Sequence, residues 1–600
     1  MKIRTHVAIL IAVVILSASA VAQQNPQADA EYLNMRYEYT LSRDGSVTMT
    51  YSHALKLYTG FAFTRQYGET FIVYNPEWQS LEVTKSTTEM ADGSMVESPA
   101  NAFNEVLPRF AHNITPYLHL REMVVTHTGL EPDATINLEY TVTTKPGFIP
   151  GLMDRVLLAQ RSPVRTAEVV VRVPEGTPLQ YQLRNYGEAD PTQSKANGYD
   201  VYTWMLSDIP LVAVEDHQPS MWEFCPVLAF STASFDDIVK HAADPASADE
   251  ITAVMEQGAK AAVEDAADDI AKLSALQKYL HTHVATMGGG LAHTGYLPQT
   301  AKQTFARASG SPLDKAVLFG ALCKAVGVKA IPALISDSHV GEGDPIPCLA
   351  EFTQAGVLYE GKVFDASSVQ HTLADVDIDG HAYLPLQRGT SPVIYQAGRH
   401  NVVTKSDWTI TGTGLLTGRT AVEAAGAPGS ELNPEAFGKT AVRRLSKAGW
   451  GVKASLEDAE MRDDVTECEV KLESKSPYSA NGGLVQFALP ELGYIDALHV
   501  QTTSAKRTTP TNLKIAVEEE HLMTLHLPEG MKPLRLPAEV ELSNSVGSVT
   551  SKFIDHISDI EIIRRISVPA RVSPENYGEL KALIDVWNDP QHRGFVLEVQ

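Results

Sequence analysis

Cysteine is the scarcest reactive residue in this chain, with four among 600 residues. Cys225, Cys323, Cys348 and Cys468 lie far apart and never in the C-x-x-C spacing of zinc sites, so no metal site is predicted from them. Only Cys323 and Cys348 fall within one predicted domain. The sequence allows a disulfide between these two in an oxidising compartment, and the alternative interpretation is that they are small buried apolar side chains.

Positive charge and long apolar runs are also in short supply. The chain has 49 Lys and Arg against 73 Asp and Glu, a formal net charge of -24. Phosphate binding along a nucleic acid needs clustered cations, so we expect no nucleic-acid partner. Beyond the first residues, no apolar stretch approaches the roughly 20 residues that a transmembrane helix needs. We therefore expect no transmembrane segment.

Residues 1–22 have the composition of an export signal peptide. Lys2 and Arg4 give a basic start, Val7–Leu16 form an apolar run, and Ala20–Ala22 form a small-x-small cleavage site. Cleavage is expected after Ala22. No cysteine follows the apolar run, so lipid attachment there is not predicted. The expected location is periplasmic or secreted.

The rest of the chain divides into three parts, and the predicted fold class is multidomain α+β. Residues 30–235 alternate apolar and polar side chains between turn signals, which predicts an antiparallel β-sandwich. Residues 242–390 start with helical periodicity and continue with short strands, which predicts an α+β domain. Residues 395–600 return to strands, with a helix at 434–448 and a closing helix N-capped by Ser573, and predict a second β-sandwich. No internal repeat is visible in the sequence.

Three parts of the chain contain segments that resemble known families. The N-terminal part contains Met90–Val96, Asn101–Glu105 and Gly129–Ile136, and through them it resembles the DUF3857 domain of bacterial envelope proteins. The last part contains Leu527–Gly530, Leu536–Pro537 and Ser543–Ser548, and it is similar to the DUF3858-type domain that follows in the same architecture. The middle part, which contains Gly310–Ala316, resembles the transglutaminase-like, or papain-like, superfamily. The resemblance brings no established activity, because the flanking domains are of unknown function.

Transglutaminase-like enzymes use a Cys-His-Asp triad, and the resemblance implies where each member would lie. The nucleophile segment, Gly-Asp-Cys-x-Asp-Lys-Ala in the family, aligns with Gly310–Ala316 and puts Pro312 on the cysteine. Proline has no nucleophilic atom. The same residues make a well-specified helix start, with Ser311 as N-cap, Pro312 at the first helical position and Asp314 completing a capping box. The segment is therefore predicted to be structural.

The histidine and aspartate positions can be tested in the same way. Asp365 ends a strand that resembles the aspartate strand, and the histidine position falls near Cys348–Glu351, where no histidine is present. His339 comes too early, and His371 and His381 are interpreted as solvated loop residues. Asp365 alone is interpreted as a cap or turn residue.

The alternative is that the catalytic residues lie at other positions of the sequence. Cys323 is expected to pack against the sheet about 16 Å along the helix from Pro312, at 1.5 Å per residue. Cys348 could face the cleft, but its thiol would stay protonated without an imidazole nearby. Ser311 is expected to be engaged as an N-cap. The other histidines of this part are His281, His283 and His293, and the i, i+2 spacing of the first two suits neither a helical metal site nor a pair of catalytic base and nucleophile. The acids of Asp375–Gly380 are interpreted as a turn rather than a calcium loop.

The leading hypothesis is thus an exported, non-catalytic protein used for binding or assembly in the cell envelope, with Ser311, Pro312, Asp314, Cys348 and Asp365 as a vestigial site. The partner would be a peptide, a glycan or another envelope protein. No cofactor or metal is expected. The alternative is a cysteine protease or transamidase-type enzyme with relocated catalytic residues.

Overall fold

The computed structural model describes residues 28–63, 65–187, 189–243, 251–339, 345–367, 380–395, 400–426, 434–447, 451–462, 465–475, 477–478 and 482–599. The expected export signal, His371 and the acids Asp375–Asp379 lie outside these residues. The described chain is multidomain and mostly β, with a central unit of helices and a sheet between two strand-rich modules. No helix in the described ranges is long and apolar enough to cross a membrane.

The N-terminal module is built almost entirely from strands. Its elements are β1 Ala30–Leu41, β2 Val47–Leu57, α1 Arg65–Gly68, β3 Glu69–Tyr74, β4 Gln79–Glu89, β5 Met95–Glu97, β6 Phe103–Val106, β7 Arg121–Thr126, β8 Thr135–Thr144, β9 Met153–Leu157, β10 Val164–Pro174, β11 Gln180–Arg184, β12 Thr192–Ala196, β13 Tyr199–Ile209, α2 Met221–Phe224 and β14 Val227–Ser231. An eight-stranded sheet has the order β12-β13-β10-β1-β2-β8-β4-β5, and two three-stranded sheets have the orders β11-β14-β9 and β3-β7-β6.

The expectation of a purely antiparallel module was wrong. Strand β1 pairs with β10 in parallel, with Tyr37 opposite Val169. The uninterrupted buried run Val169–Val171 marks this strand, because strands covered on both faces lose the apolar and polar alternation of half-exposed strands. One core lies between the large sheet and the sheet β11-β14-β9, with Trp204 and Phe230 among its largest side chains.

The central unit packs helices against an antiparallel sheet. Its elements are α3 Phe235–Ala243, α4 Ala253–Ala262, α5 Asp269–His283, β15 Ala285–Thr286, α6 Ala301–Arg307, β16 Ser309–Gly310, α7 Pro312–Ala325, β17 Ile331–His339, β18 Phe352–Tyr359, β19 Lys362–Asp365, β20 His381–Pro385 and β21 Val393–Ile394. The sheet order is β19-β18-β17-β20-β21. Helix α7 lies at the centre of this unit, because every residue from Leu313 to Cys323 is buried. The predicted helices at 300–308 and 313–326 are confirmed.

The C-terminal module returns to strands. Its elements are β22 His400–Ile410, β23 Leu416–Ala425, α8 Pro434–Leu445, β24 Val452–Arg462, β25 Val465–Ser474, β26 Leu484–Ala488, α9 Tyr494–Leu498, β27 Thr511–Asn512, β28 Val517–His526, β29 Met531–Arg535, β30 Val540–Ser543, β31 Ser548–Asp555, β32 Asp559–Val568, β33 Arg571–Val572, α10 Tyr577–Asn588 and β34 Gly594–Val599. The apolar face predicted for the last helix is confirmed, because Leu580, Leu583, Ile584 and Trp587 are fully buried. Strand β34 follows that helix and completes a sheet, so the helix does not close the module.

The two β-rich modules share the connectivity of most of their strands. In the C-terminal sheet, of order β24-β25-β23-β22-β28-β32-β31-β30, strands β22, β23, β25 and β24 repeat the positions of β1, β2, β8 and β4. The pair β22 and β28 is parallel, as are β1 and β10. The small sheets β26-β34-β29 and β9-β14-β11 also correspond, each with its last strand in the middle. The chain therefore contains a topological repeat that its sequence does not show.

Candidate functional site

The segment predicted to replace a catalytic cysteine forms the start of α7. Ser311 Oγ accepts a hydrogen bond from the Asp314 amide at 3.1 Å, and Asp314 Oδ2 accepts one from the Ser311 amide at 2.7 Å. Pro312 occupies the first helical position, where its missing N–H costs no hydrogen bond. The predicted N-cap, first-position proline and capping box are all confirmed. Ser311 is 1% exposed, so its hydroxyl is both engaged and covered.

Asp314 has a second set of donors that the sequence did not predict. Tyr117 of the N-terminal module donates its hydroxyl to Asp314 Oδ2 at 2.5 Å, and the backbone and side-chain amides of Gln299 donate at 2.7 and 2.9 Å. Asp314 is fully buried. Burial, followed by the nearby carboxylate, raises the pKa of Tyr117 well above its usual value, so the phenol stays a neutral donor.

Tyr117 belongs to a segment that lies over this helix start. Residues 107–120, which connect β6 to β7, are here called the cap segment. Its apolar side chains cluster on Met287 of the central unit, and Phe110 stacks on His293 with ring centroids 5.3 Å apart. The members of the cluster are Leu107, Phe110, Ala111, Ile114, Tyr117 and Leu120. The start of α7 is therefore covered by the chain itself.

The position expected for a catalytic histidine is also held by the N-terminal module. Cys348 precedes a short 3₁₀ turn, Leu349–Glu351, that leads into β18. Glu351 accepts from Arg184 at 2.6 Å and from Arg155 at 3.3 Å. Arg155 also pairs with Asp337 at 2.7 Å. Both arginines and Glu351 are less than 10% exposed at the side chain, so this ion-pair cluster is a buried joint between the two parts.

The surroundings of Cys348 favour the protonated thiol. It is fully buried, and burial raises its pKa, with further increases from Glu351 and Asp154. Cys323 lies buried within α7, and burial raises its pKa as well. All four cysteines are free thiols in buried positions, so the reading of them as apolar side chains is confirmed and the pairing of Cys323 with Cys348 does not form.

Asp365 acts as a turn residue, as predicted for a lone carboxylate. Its Oδ1 accepts from the Ser367 amide at 2.7 Å, and its carbonyl accepts from the Gln277 side chain at 2.9 Å. Its charge also acts on Lys315, one turn into α7. Burial lowers the pKa of Lys315 to about 8 against the opposing effect of Asp365, and Lys315 Nζ donates to the Val284 carbonyl and the Thr286 hydroxyl at 2.9 and 2.8 Å.

The histidines divide between surface and core. His281 and His283 lie exposed at the end of α5, while His293 is half-buried beneath Phe110. The prediction of a solvated loop was wrong for His381, which opens β20, is 7% exposed and donates from Nδ1 to the Ser336 carbonyl at 2.9 Å. Its strand pairs with β17 so that His381 lies opposite His339. Within the described ranges, no three His, Cys, Asp or Glu residues are grouped to hold a metal ion.

The sequence thus predicted the helix start and the turn residue Asp365. It missed the residues from the N-terminal module that fill the site, namely Tyr117, Arg155 and Arg184. The sequence gives only a weak indication of the role of Arg155, because a charged residue in a β-strand beside buried neighbours needs a partner. Tyr117 carried none, since its partner lies 197 positions away.

Two family models match separate regions of the chain. Residues 43–213 match the family model DUF3857, a domain of unknown function with a solved structure, and residues 487–597 match DUF3858, described in the same way. The chain therefore carries a DUF3857 region and a DUF3858 region. They lie in the N-terminal and C-terminal modules, and residues 214–486 lie between them.

Among solved structures, a putative protease from Parabacteroides distasonis is similar over almost the whole length. It has 26% sequence identity, covers 95% of this chain and 99% of its own, and superposes with a TM-score of 0.72. An M1 zinc metallopeptidase from Deinococcus radiodurans matches 34% of this chain and 43% of its own at 14% identity, with a TM-score of 0.19. A search of curated proteins gives no match.

Proposed function

We propose that this protein is an exported, non-catalytic component of the cell envelope with a role in assembly or binding. Its central unit would be a transglutaminase-like core without the catalytic cysteine and histidine. One observation carries the proposal: the N-terminal module contacts both segments that the transglutaminase-like resemblance aligns with the catalytic cysteine and histidine. Tyr117 donates to Asp314 at the start of α7, and Arg155 and Arg184 hold Glu351 where the histidine would lie.

The chemistry of these contacts favours a joint over an active site. An enzyme of this class needs a thiolate at a helix N-terminus, a histidine next to it and room for the substrate carbonyl. Here the helix start carries Pro312, and the Ser311 hydroxyl accepts the Asp314 amide hydrogen bond. The four donors to the Asp314 carboxylate come from the chain itself. The carboxylates of Asp314 and Glu351 are thus engaged within the chain, and Tyr117, Arg155 and Arg184 link them to the N-terminal module.

A cysteine protease or transamidase is the second candidate, and the similarity to a protein described as a putative protease favours it. This reading requires Cys348 to become accessible and to meet a histidine, because a thiol and its base must lie within hydrogen-bonding distance. Burial is the largest influence on the pKa of Cys348; the Glu351 and Asp154 carboxylates raise this pKa further, and a backbone hydrogen bond at Ala350 and the charge of Arg155 oppose the increase. The observed surroundings therefore support the non-catalytic proposal.

The test is covalent labelling of the native protein with iodoacetamide at neutral pH, followed by mass spectrometry of each cysteine. We expect none of the four thiols to react while the protein is folded, and all four to react in urea. Cys323→Ser serves as the matched control for Cys348→Ser, since both residues are buried in the same unit. Rapid labelling of Cys348, together with casein hydrolysis or amine incorporation that Cys348→Ser abolishes and Cys323→Ser retains, would establish the enzyme instead.

A further inference from the structure

Three lysines converge on a shallow basin at one end of the large C-terminal sheet. Lys453 lies on β24, Lys471 on β25 and Lys475 directly after β25, and they surround a concavity of about 380 Å³ on the outer face of the sheet. All three are exposed, while their inward neighbours Val452 and Leu472 are buried in the core. The strands thus orient the ammonium groups toward solvent at one place.

The pairing register brings the basin together. Lys453 lies directly opposite Glu473, and Lys471 lies directly opposite Ser455. Side chains opposite each other on one face of an antiparallel pair are about 5 Å apart at Cβ, and diagonal neighbours are about 7 Å apart. Glu473 is the one acid that lines the basin, against three lysines. The basin therefore has an excess of positive charge on a chain whose net charge is -24.

The three lysines are exceptional on this sheet. Among the described residues, none of them has a carboxylate within 4 Å, whereas the other cations of its outer face do. Each of those pairs with a glutamate: Lys405 with Glu423, Arg419 with Glu457 and Glu469, Arg462 with Glu460, Lys552 with Glu539, and Arg565 with Glu520. On this face an acidic chain pairs its other cations but leaves three lysines close together with no carboxylate within 4 Å, although Glu473 lies opposite Lys453 in the strand register. Such a group attracts an anion with several acceptor oxygens.

We propose that Lys453, Lys471 and Lys475 form a binding site for a phosphate group, with the Ser455 hydroxyl as a further donor. A phosphate offers several acceptor oxygens, and ammonium groups donate to it as point charges from several directions. The group could be carried by a soluble phosphate compound or by a lipid headgroup. This site is independent of the role assigned to the central unit.

The test is lysine footprinting of the full chain, read by mass spectrometry after brief acetylation. Pyrophosphate represents the soluble source, and phosphatidylglycerol vesicles represent the lipid source. We expect acetylation of Lys453, Lys471 and Lys475 to slow in one of the two arms, while Lys405 is acetylated at an unchanged rate. Protection by pyrophosphate identifies a soluble ligand, and protection by vesicles alone identifies a headgroup. No protection in either arm would overturn the proposal.

Binding measurements on charge-matched variants sharpen the result. Replacing all three basin lysines by Gln should weaken binding about tenfold for each charge-assisted hydrogen bond lost. The control replaces Lys405, Lys532 and Lys552 by Gln, which changes the net charge equally but removes only paired lysines. Glu473→Gln should strengthen binding, because it removes the acid inside the basin. Equal weakening in the basin and control variants would show general charge attraction and refute the site.

Discussion

The contact between Tyr117 and Asp314 gives the sharpest prediction about the joint between the N-terminal module and the central unit. Tyr117→Phe removes one hydroxyl and keeps the ring that packs in the cap segment. A hydrogen bond to a charged group contributes about 1.5 to 3 kcal/mol. Three other donors to the Asp314 carboxylate remain in the variant, so we expect a loss near 2 kcal/mol rather than at the upper end.

Native-state amide exchange measures this loss directly. The amides of Ala111, Ile114 and Leu120 donate within the cap segment, so each exchanges only when the segment opens. A loss of about 2 kcal/mol corresponds to opening about thirtyfold more often, since 1.4 kcal/mol is a factor of ten. Their exchange protection should fall by that factor in Tyr117→Phe.

A matched control distinguishes the buried joint from an ordinary phenol bond. Tyr74 donates to Glu105 at 2.5 Å in the same module, but that bond is exposed to solvent. Tyr74→Phe should therefore cost less than about 1 kcal/mol. A double-mutant cycle of Tyr117→Phe with Asp314→Asn should give a coupling energy of at least about 1 kcal/mol. Unchanged exchange in the cap segment, or a coupling energy near zero, would refute the assigned role of this contact.

Three further variants test other charged groups. Arg155→Met should weaken the joint by about 1 to 3 kcal/mol, below the cost of an unpaired buried charge, because Glu351 keeps Arg184 at 2.6 Å, and this should appear as faster exchange of the Glu351 amide. Glu215 accepts a hydrogen bond from Thr509, and its pKa is lowered in the folded protein. Its contribution to stability is therefore present above about pH 4.3 and is lost as the pH falls through the folded pKa. Glu215→Gln should reduce the loss of unfolding free energy in this acidic range. Burial lowers the pKa of Lys315 from 10.5 to about 8. Between these two pH values the folded state binds fewer protons than the unfolded state, so the free energy of unfolding should rise with pH. Urea titrations at each pH should show this rise, and Lys315→Met should abolish it.

Local structure was predictable wherever one segment determined its own conformation. Ser311, Pro312 and Asp314 specify a helix start within four residues, and the structure has that start with both capping bonds. The apolar face of α10 was equally clear from its spacing. These signals depend on neighbours in sequence, so they survive without knowledge of the fold.

What the sequence could not show depends on pairs distant in the chain. The parallel pairing of β1 with β10 joins residues about 130 positions apart, and the Tyr117 contact joins residues 197 apart. His381 comes after the strand that ends at Asp365 and is predicted from the sequence to be a loop residue, but pairing with β17 places it in the sheet, where it is 7% exposed. Tertiary contacts of this kind override local pattern, and one sequence carries little information about them.

The cap segment lies in an insertion that distinguishes the N-terminal module from the C-terminal module of similar topology. In the C-terminal module, β24 is followed almost at once by β25, from Arg462 to Val465. In the N-terminal module the corresponding strands β4 and β8 are separated by residues 90–134, which contain β5, β6, the cap segment and β7. The C-terminal module folds the same sheet without this insertion, so the sheet does not require it. The insertion instead supplies Tyr117 and Phe110, which lie against the central unit. The N-terminal module therefore combines a common sheet with an added element whose contacts are directed at the start of α7.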